Sequence, residues 1–143
     1  MFLFKEYVMK GPKSLIVFWV ANLAIVVSFA HSISAQTPKR IQFAKGKNSA
    51  TVQGVTGTTG VTYVVRAKSG QKLVISLAPA SKLGIKVETD GTYGHQVLLR
   101  EDQGGTYEVG LEENGDYTIF VGSTNNRSMS FTLTVKIEKL TDV

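Results

Sequence analysis

Beyond residue 35 the sequence predicts an all-β fold, an antiparallel β-sandwich of Greek-key or jelly-roll type with eight or nine short strands. Three observations predict it. Apolar and polar residues alternate with period two in one short segment after another. Glycine-bearing turn dipeptides separate those segments at short intervals. No segment carries the period of an amphipathic helix longer than one turn.

The first alternating segments are residues 40–43 and 49–53. In the third, 61–67, Val61, Tyr63, Val65 and Ala67 fall on one face and Thr62 and Arg66 on the other, as a half-buried strand requires. Segments 73–77, 83–88, 96–100, 106–111 and 117–121 follow. The series closes with 130–137, where Phe131, Leu133, Val135 and Ile137 oppose Ser130, Thr132, Thr134 and Lys136. Ser69-Gly70, Asp90-Gly91, Gly104-Gly105 and Asn114-Gly115 are the turns, since Gly takes positive φ without a steric penalty. Gly54, Gly57 and Gly60 have the composition of a phosphate loop, but no helix follows whose N-terminus would hold an anion, so a strand-joining turn is expected. Residues 122–128 are expected to join the last two strands as an exposed hairpin loop, a common place for recognition. Within it, Asn126-Arg127-Ser128 has the form of a glycosylation acceptor.

Residues 1–35 read as a signal peptide. Lys5, Lys10 and Lys13 precede an apolar run from Leu15 to Ala30, and small residues follow. Cleavage is expected after Ala35, with Ser28-Phe29-Ala30 as a second possible site. The competing account is an uncleaved anchor, although the run falls short of the roughly 20 residues that span a bilayer comfortably. Cleavage would leave 108 residues, 36–143, enough for one β-sandwich domain with a single core. That domain has no Cys for a disulfide or a lipid and no second apolar run to span a membrane. The expected location is periplasmic or secreted.

From residue 36 onward, 13 basic residues face 10 acidic ones, a net charge of +3, and the two signs are segregated. Nine basic residues and no acid occupy 36–87, whereas eight acids and only Arg100 occupy 88–117. Such asymmetry steers oppositely charged partners, and the acidic stretch suits a basic protein. The alternative is that folding intermixes the blocks, for instance by setting Glu108 or Glu112 across from Arg66 or Lys86 in weak surface pairs. Export, low net charge and the lack of a basic and aromatic stacking pattern argue against nucleic acid.

Catalytic chemistry is poorly provided for. The exported part has His95 as its one imidazole and no thiol, and no Gly-x-Ser-x-Gly turn is present. A zinc site lacks ligands. The adjacent acids Glu101-Asp102 and Glu112-Glu113 would point to opposite faces of a strand and not flank one bond. Asp90, Asp102 and Asp116 lie near turns, but no Asp-x-Asp-x-Asp calcium loop appears. The expectation is a binding protein with no catalytic residue, no metal and no cofactor.

Three segments, in order, are Phe43-x-x-Gly46-x-x-Ser49-Ala50-x-x-x-Gly54, Tyr63-x-x-x-Ala67-x-x-Gly70-Gln71-x-Leu73 and Gly115-Asp116-Tyr117-Thr118-Ile119. Together they resemble bacterial pre-peptidase C-terminal domains and the periplasmic inhibitors of g-type and i-type lysozymes. The short chain behind a signal peptide favours the inhibitors. That resemblance implies a protruding loop that blocks a lysozyme cleft and carries Ser-Gly-x-x-Tyr or Ser-Gly-x-Tyr. The matching stretch is Asn114-Gly115-Asp116-Tyr117, with Asn in the Ser position. The candidate partner-binding residues are therefore Glu112, Glu113, Asn114, Gly115, Asp116 and Tyr117, with Asn125, Asn126 and Arg127 from the later loop. Asp116 would pair with a basic cleft residue. Tyr117 has two readings, as a recognition residue or as a tyrosine-corner and core residue of the sandwich. The partner expected is a protein, most concretely a basic lysozyme. The alternative is an envelope module of the pre-peptidase kind that binds polysaccharide or another exported protein.

Overall fold

A computed structural model describes residues 36–141. The signal peptide expected over residues 1–35, with its cleavage sites, lies outside the described residues. Among the described residues nine strands form: β1 (Lys39–Arg40), β2 (Ser49–Val55), β3 (Val61–Ala67), β4 (Gln71–Ala78), β5 (Leu83–Gly91), β6 (Gly94–Glu101), β7 (Gly105–Leu111), β8 (Gly115–Ser123) and β9 (Ser130–Lys139). They make a five-stranded sheet in the order β1-β3-β8-β5-β6 and a four-stranded sheet in the order β2-β9-β4-β7. All pairs are antiparallel except β1 with β3. The fold is the all-β sandwich that the alternation predicts.

The period-two pattern sets which face of each strand is inside. In β3, Val61, Tyr63, Val65 and Ala67 are buried while Arg66 is exposed. In β8 the buried residues are Tyr117, Ile119 and Val121, and in β9 they are Phe131, Leu133 and Val135. With Leu73, Ile75 and Leu77 of β4 and Leu83, Ile85 and Val87 of β5, they fill one core between the sheets. Each such side chain contributes roughly 1.5–3 kcal/mol by leaving water. Tyr63 and Phe131 meet edge to face across the core, with ring centroids 6.2 Å apart.

Chain order and sheet order differ. Only β5 and β6 are consecutive and paired, so the other pairings join strands distant in sequence. The last two strands take central places: β8 lies between β3 and β5, and β9 between β2 and β4. Residues 122–128 are therefore not the expected hairpin. They carry the chain from one sheet to the other, because the core face of β9 is completed by β2 and β4 and not by β8.

Gly60 shows how locally the packing is specified. It has φ +85°, and a Cβ there would overlap the ring of Phe120, which lies over the turn between β2 and β3.

Candidate functional site

The start of β8 is a junction. The register pairs Ala67 with Gly115 and Thr89 with Tyr117, which brings the β3–β4 turn and the tip of the β5–β6 hairpin beside residues 112–114. Asn114 and Glu113 of this turn are each held by one of those neighbours. Asn114 accepts the backbone N–H of Ser69 at its Oδ1, 2.8 Å away. The Glu113 carboxylate accepts the N–H of Thr92 at 3.1 and 3.2 Å. Gly91 makes room for that carboxylate, since a Cβ at this position would overlap it. Glu112 is exposed and takes part in no ion pair among the described residues.

Asp116 is gripped at both oxygens by Arg40, with Nη1 3.1 Å from Oδ1 and Nη2 2.8 Å from Oδ2. This bidentate bond holds its carboxyl below the ordinary carboxylate range, with the charge of Arg66 adding to the pull. Its main-chain carbonyl accepts from Thr89 Oγ1 at 3.2 Å. The carboxylate that a partner's cation was expected to meet is thus already paired within the chain.

Tyr117 is 1% exposed, and its hydroxyl donates to the Glu113 carbonyl four residues upstream at 2.6 Å. That is the tyrosine-corner geometry of the second reading. Burial pushes the phenol pKa up. Gly115 opens the strand between these two anchors.

A cleft of about 160 Å³ separates the turn from the β5–β6 hairpin, with Glu112 and Glu113 on one wall and Tyr93, Gln96 and Leu98 on the other. Tyr93 is 81% exposed, the most open large hydrophobic side chain described. Reading the sequence for acids and turns missed it. The available signal was an aromatic residue inside Gly91-Thr92-Tyr93-Gly94, a tip too short for its ring to turn back to the core.

Asn125, Asn126 and Arg127 lie elsewhere. Their loop begins where β8 ends, and residues 115 and 123 are about 26 Å apart along an extended strand. The loop is organised by its own atoms: Asn125 Oδ1 accepts the Arg127 N–H at 3.1 Å and contacts Ser123 Oγ at 2.5 Å, while Asn126 sits at φ +58°. A joint surface with residues 112–117 is therefore not formed, because the connections before and after one strand fall at opposite ends of the sandwich.

Among known structures, the Aeromonas hydrophila periplasmic inhibitor of g-type lysozyme superposes with a TM-score of 0.63 at 27% identity, covering 71% of this chain and 96% of that one. The chain is similar to periplasmic inhibitors of g-type lysozyme. The Salmonella Typhimurium inhibitor of g-type lysozyme follows with a TM-score of 0.57 at 24% identity, over 73% of this chain and all of that one. The pre-peptidase C-terminal domain of a Bacillus anthracis collagenase is more distant, with a TM-score of 0.46, 12% identity and 73% and 97% coverage. No protein-family model matches the sequence, and no curated protein matches it either.

The charge blocks intermix in part, although through other partners than those expected. Lys72 reaches Glu108 at 3.3 Å and Glu138 at 3.5 Å, and Lys86 reaches Glu88 at 2.6 Å. His95 stands at the start of β6 with Nδ1 2.9 Å from Asp90 and Nε2 3.7 Å from Glu88. No group of three or more His, Cys, Asp or Glu side chains suited to a metal occurs among the described residues.

Proposed function

We propose that this protein is an exported, non-catalytic inhibitor of a g-type lysozyme, located in the periplasm, which blocks the enzyme's cleft with the turn at residues 112–117. The observation that carries this reading is the likeness to the Aeromonas hydrophila inhibitor over 96% of that chain. Physical support comes from the turn itself. Asn114, Glu113, Asp116 and Tyr117 are each fixed by a hydrogen bond to another part of the chain or turn, so little conformational freedom remains to be lost on binding.

In this mechanism the four tied residues shape the turn, and Glu112 with Tyr93 makes the contacts. Glu112, Glu113 and the nearby Asp90 supply a negative field for a basic enzyme. Tyr93 supplies the kind of aromatic anchor that dominates interface energetics. Tyr117 acts through the turn it buttresses, and Asn125, Asn126 and Arg127 take no part in the cleft contact.

The test is inhibition of purified g-type, i-type and c-type lysozymes by the full chain as it is exported, at low and physiological salt. Inhibition of the g-type enzyme that weakens with salt is expected, and no inhibition of any type would overturn the proposal. Combining Tyr93→Ala with Glu112→Lys should weaken inhibition by about tenfold or more while leaving the melting temperature unchanged.

A further inference from the structure

A second cleft, of about 360 Å³, opens beside the β3–β4 turn against residues 44–48 and the end of β9, and its chemistry is opposite to that of the acidic turn. Lys47, Arg66 and Lys68 line it, and no lining residue is acidic. None of the three takes part in an ion pair among the described residues. Asp116, the acid beside Arg66 in the register, is already held by Arg40.

The amides that line the cleft are set for the same task. Gln71 uses its oxygen to accept the Lys68 N–H at 2.7 Å, which leaves its two amide hydrogens to donate. Asn48 donates its nitrogen to the Ile137 carbonyl at 3.1 Å, which leaves one acceptor oxygen. Phe43 and Ile137 complete the lining with apolar surface.

We infer that this cleft binds an anionic sugar unit of a glycan, a saccharide carrying a carboxylate or a phosphate. Lys47, Arg66, Lys68 and the Gln71 donors meet the negative group, the Asn48 oxygen accepts from a hydroxyl, and the apolar lining receives the face of a sugar ring. The volume is in the range of small-ligand sites and suits one or two pyranose rings. A nucleic acid is disfavoured because Phe43 is the one aromatic that lines the cleft, so successive bases have no series of aromatic faces to stack on. This inference does not depend on lysozyme inhibition. It would hold the protein at an anionic surface whether or not it blocks an enzyme.

The test is direct titration of the full chain, purified as exported, with tetragalacturonate, a glycerol-phosphate teichoic chain, neutral maltotetraose and a short DNA duplex. Saturable, salt-weakened binding of tetragalacturonate or the teichoic chain is expected, and which of the two binds tells the carboxylate from the phosphate source. The variant Lys47→Gln, Arg66→Gln, Lys68→Gln should weaken that binding by about tenfold or more. The control Lys82→Gln, Arg100→Gln, Arg127→Gln removes equal charge elsewhere and should leave it unchanged. Binding of neither anionic glycan, equal binding of maltotetraose, tighter binding of DNA, or equal losses in the two variants would each overturn the inference. All six positions are on the surface, and matched melting temperatures confirm that both variants fold.

Discussion

At the start of β8, residues 112–116 are tied to three other elements: the β3–β4 turn through Ser69, the β5–β6 hairpin through Thr92 and β1 through Arg40. At its end, residues 123–127 are tied to one another through Asn125 and Ser123, and to one other part of the chain, the start of β5, through the Thr124 N–H and the Lys82 carbonyl. Both connections are short and polar and contain Asn, and from the sequence alone both look suited to recognition. The difference shows that composition marks a loop, whereas the neighbours brought in by strand order decide whether it is rigid. A turn whose side chains are cross-linked to three elements presents a fixed shape, and a loop whose side chains bond only within it can change them with little consequence for the core.

Removing the buttress tests this most severely. Tyr117→Ala empties a fully buried site and should cost about 3–5 kcal/mol, seen as a lower denaturant midpoint. Tyr117→Phe keeps the ring and loses only the bond to the Glu113 carbonyl, for about 1 kcal/mol. The same pair gives an alkaline signature. Because burial raises the Tyr117 pKa, its contribution to stability is full below the unfolded value near ~10 and is lost as pH rises through the folded value. The wild-type melting temperature should therefore fall more steeply above that pH than that of Tyr117→Phe.

A matched pair then compares the two connections directly. Asn114→Ala should cost about 0.5–1 kcal/mol and speed exchange of the Ser69 amide, while Asn125→Ala should stay within about 0.5 kcal/mol and leave Ser69 protected. Equal effects would abolish the distinction. The smallest effect is electrostatic. Arg40 lowers the Asp116 pKa, so the stability this pair contributes is present above the ordinary carboxylate value and is lost as pH falls through the lowered one. Asp116→Asn should flatten that part of the acid limb of the stability profile and lower stability at neutral pH by the small amount an exposed ion pair contributes.

The sandwich was legible wherever burial is one-sided. Segment 61–67 coincides with β3, and 130–137 lies within β9, because alternation records which residues face the core. β6 was less legible: it is an edge strand with mostly exposed residues, and a bulge opposite Val87 and Glu88 breaks its alternation. Sheet assignment was not legible, since an Asn-Gly dipeptide signals a turn without saying which sheet the chain enters next, and the expected final hairpin failed on that point. In the candidate site, turn and acids were readable. The ties from Asn114 to Ser69 and Glu113 to Thr92 join residues 45 and 21 positions apart and depend on tertiary register. The pairing of Asp116 with Arg40 was hidden for the same reason.

The central placement of β8 and β9 has a consequence for synthesis. A chain emerging from the ribosome makes β2, β4 and β7 before the strand that joins β2 to β4, and β3 and β5 before the strand between them. Asn48 waits for Ile137, 89 residues later, and Arg40 for Asp116, 76 later. Pairings so distant close slowly, on the scale of milliseconds to seconds for sandwiches of this kind. Neither sheet is complete until β8 and β9 have been made, so the core between the sheets has no finished walls before then.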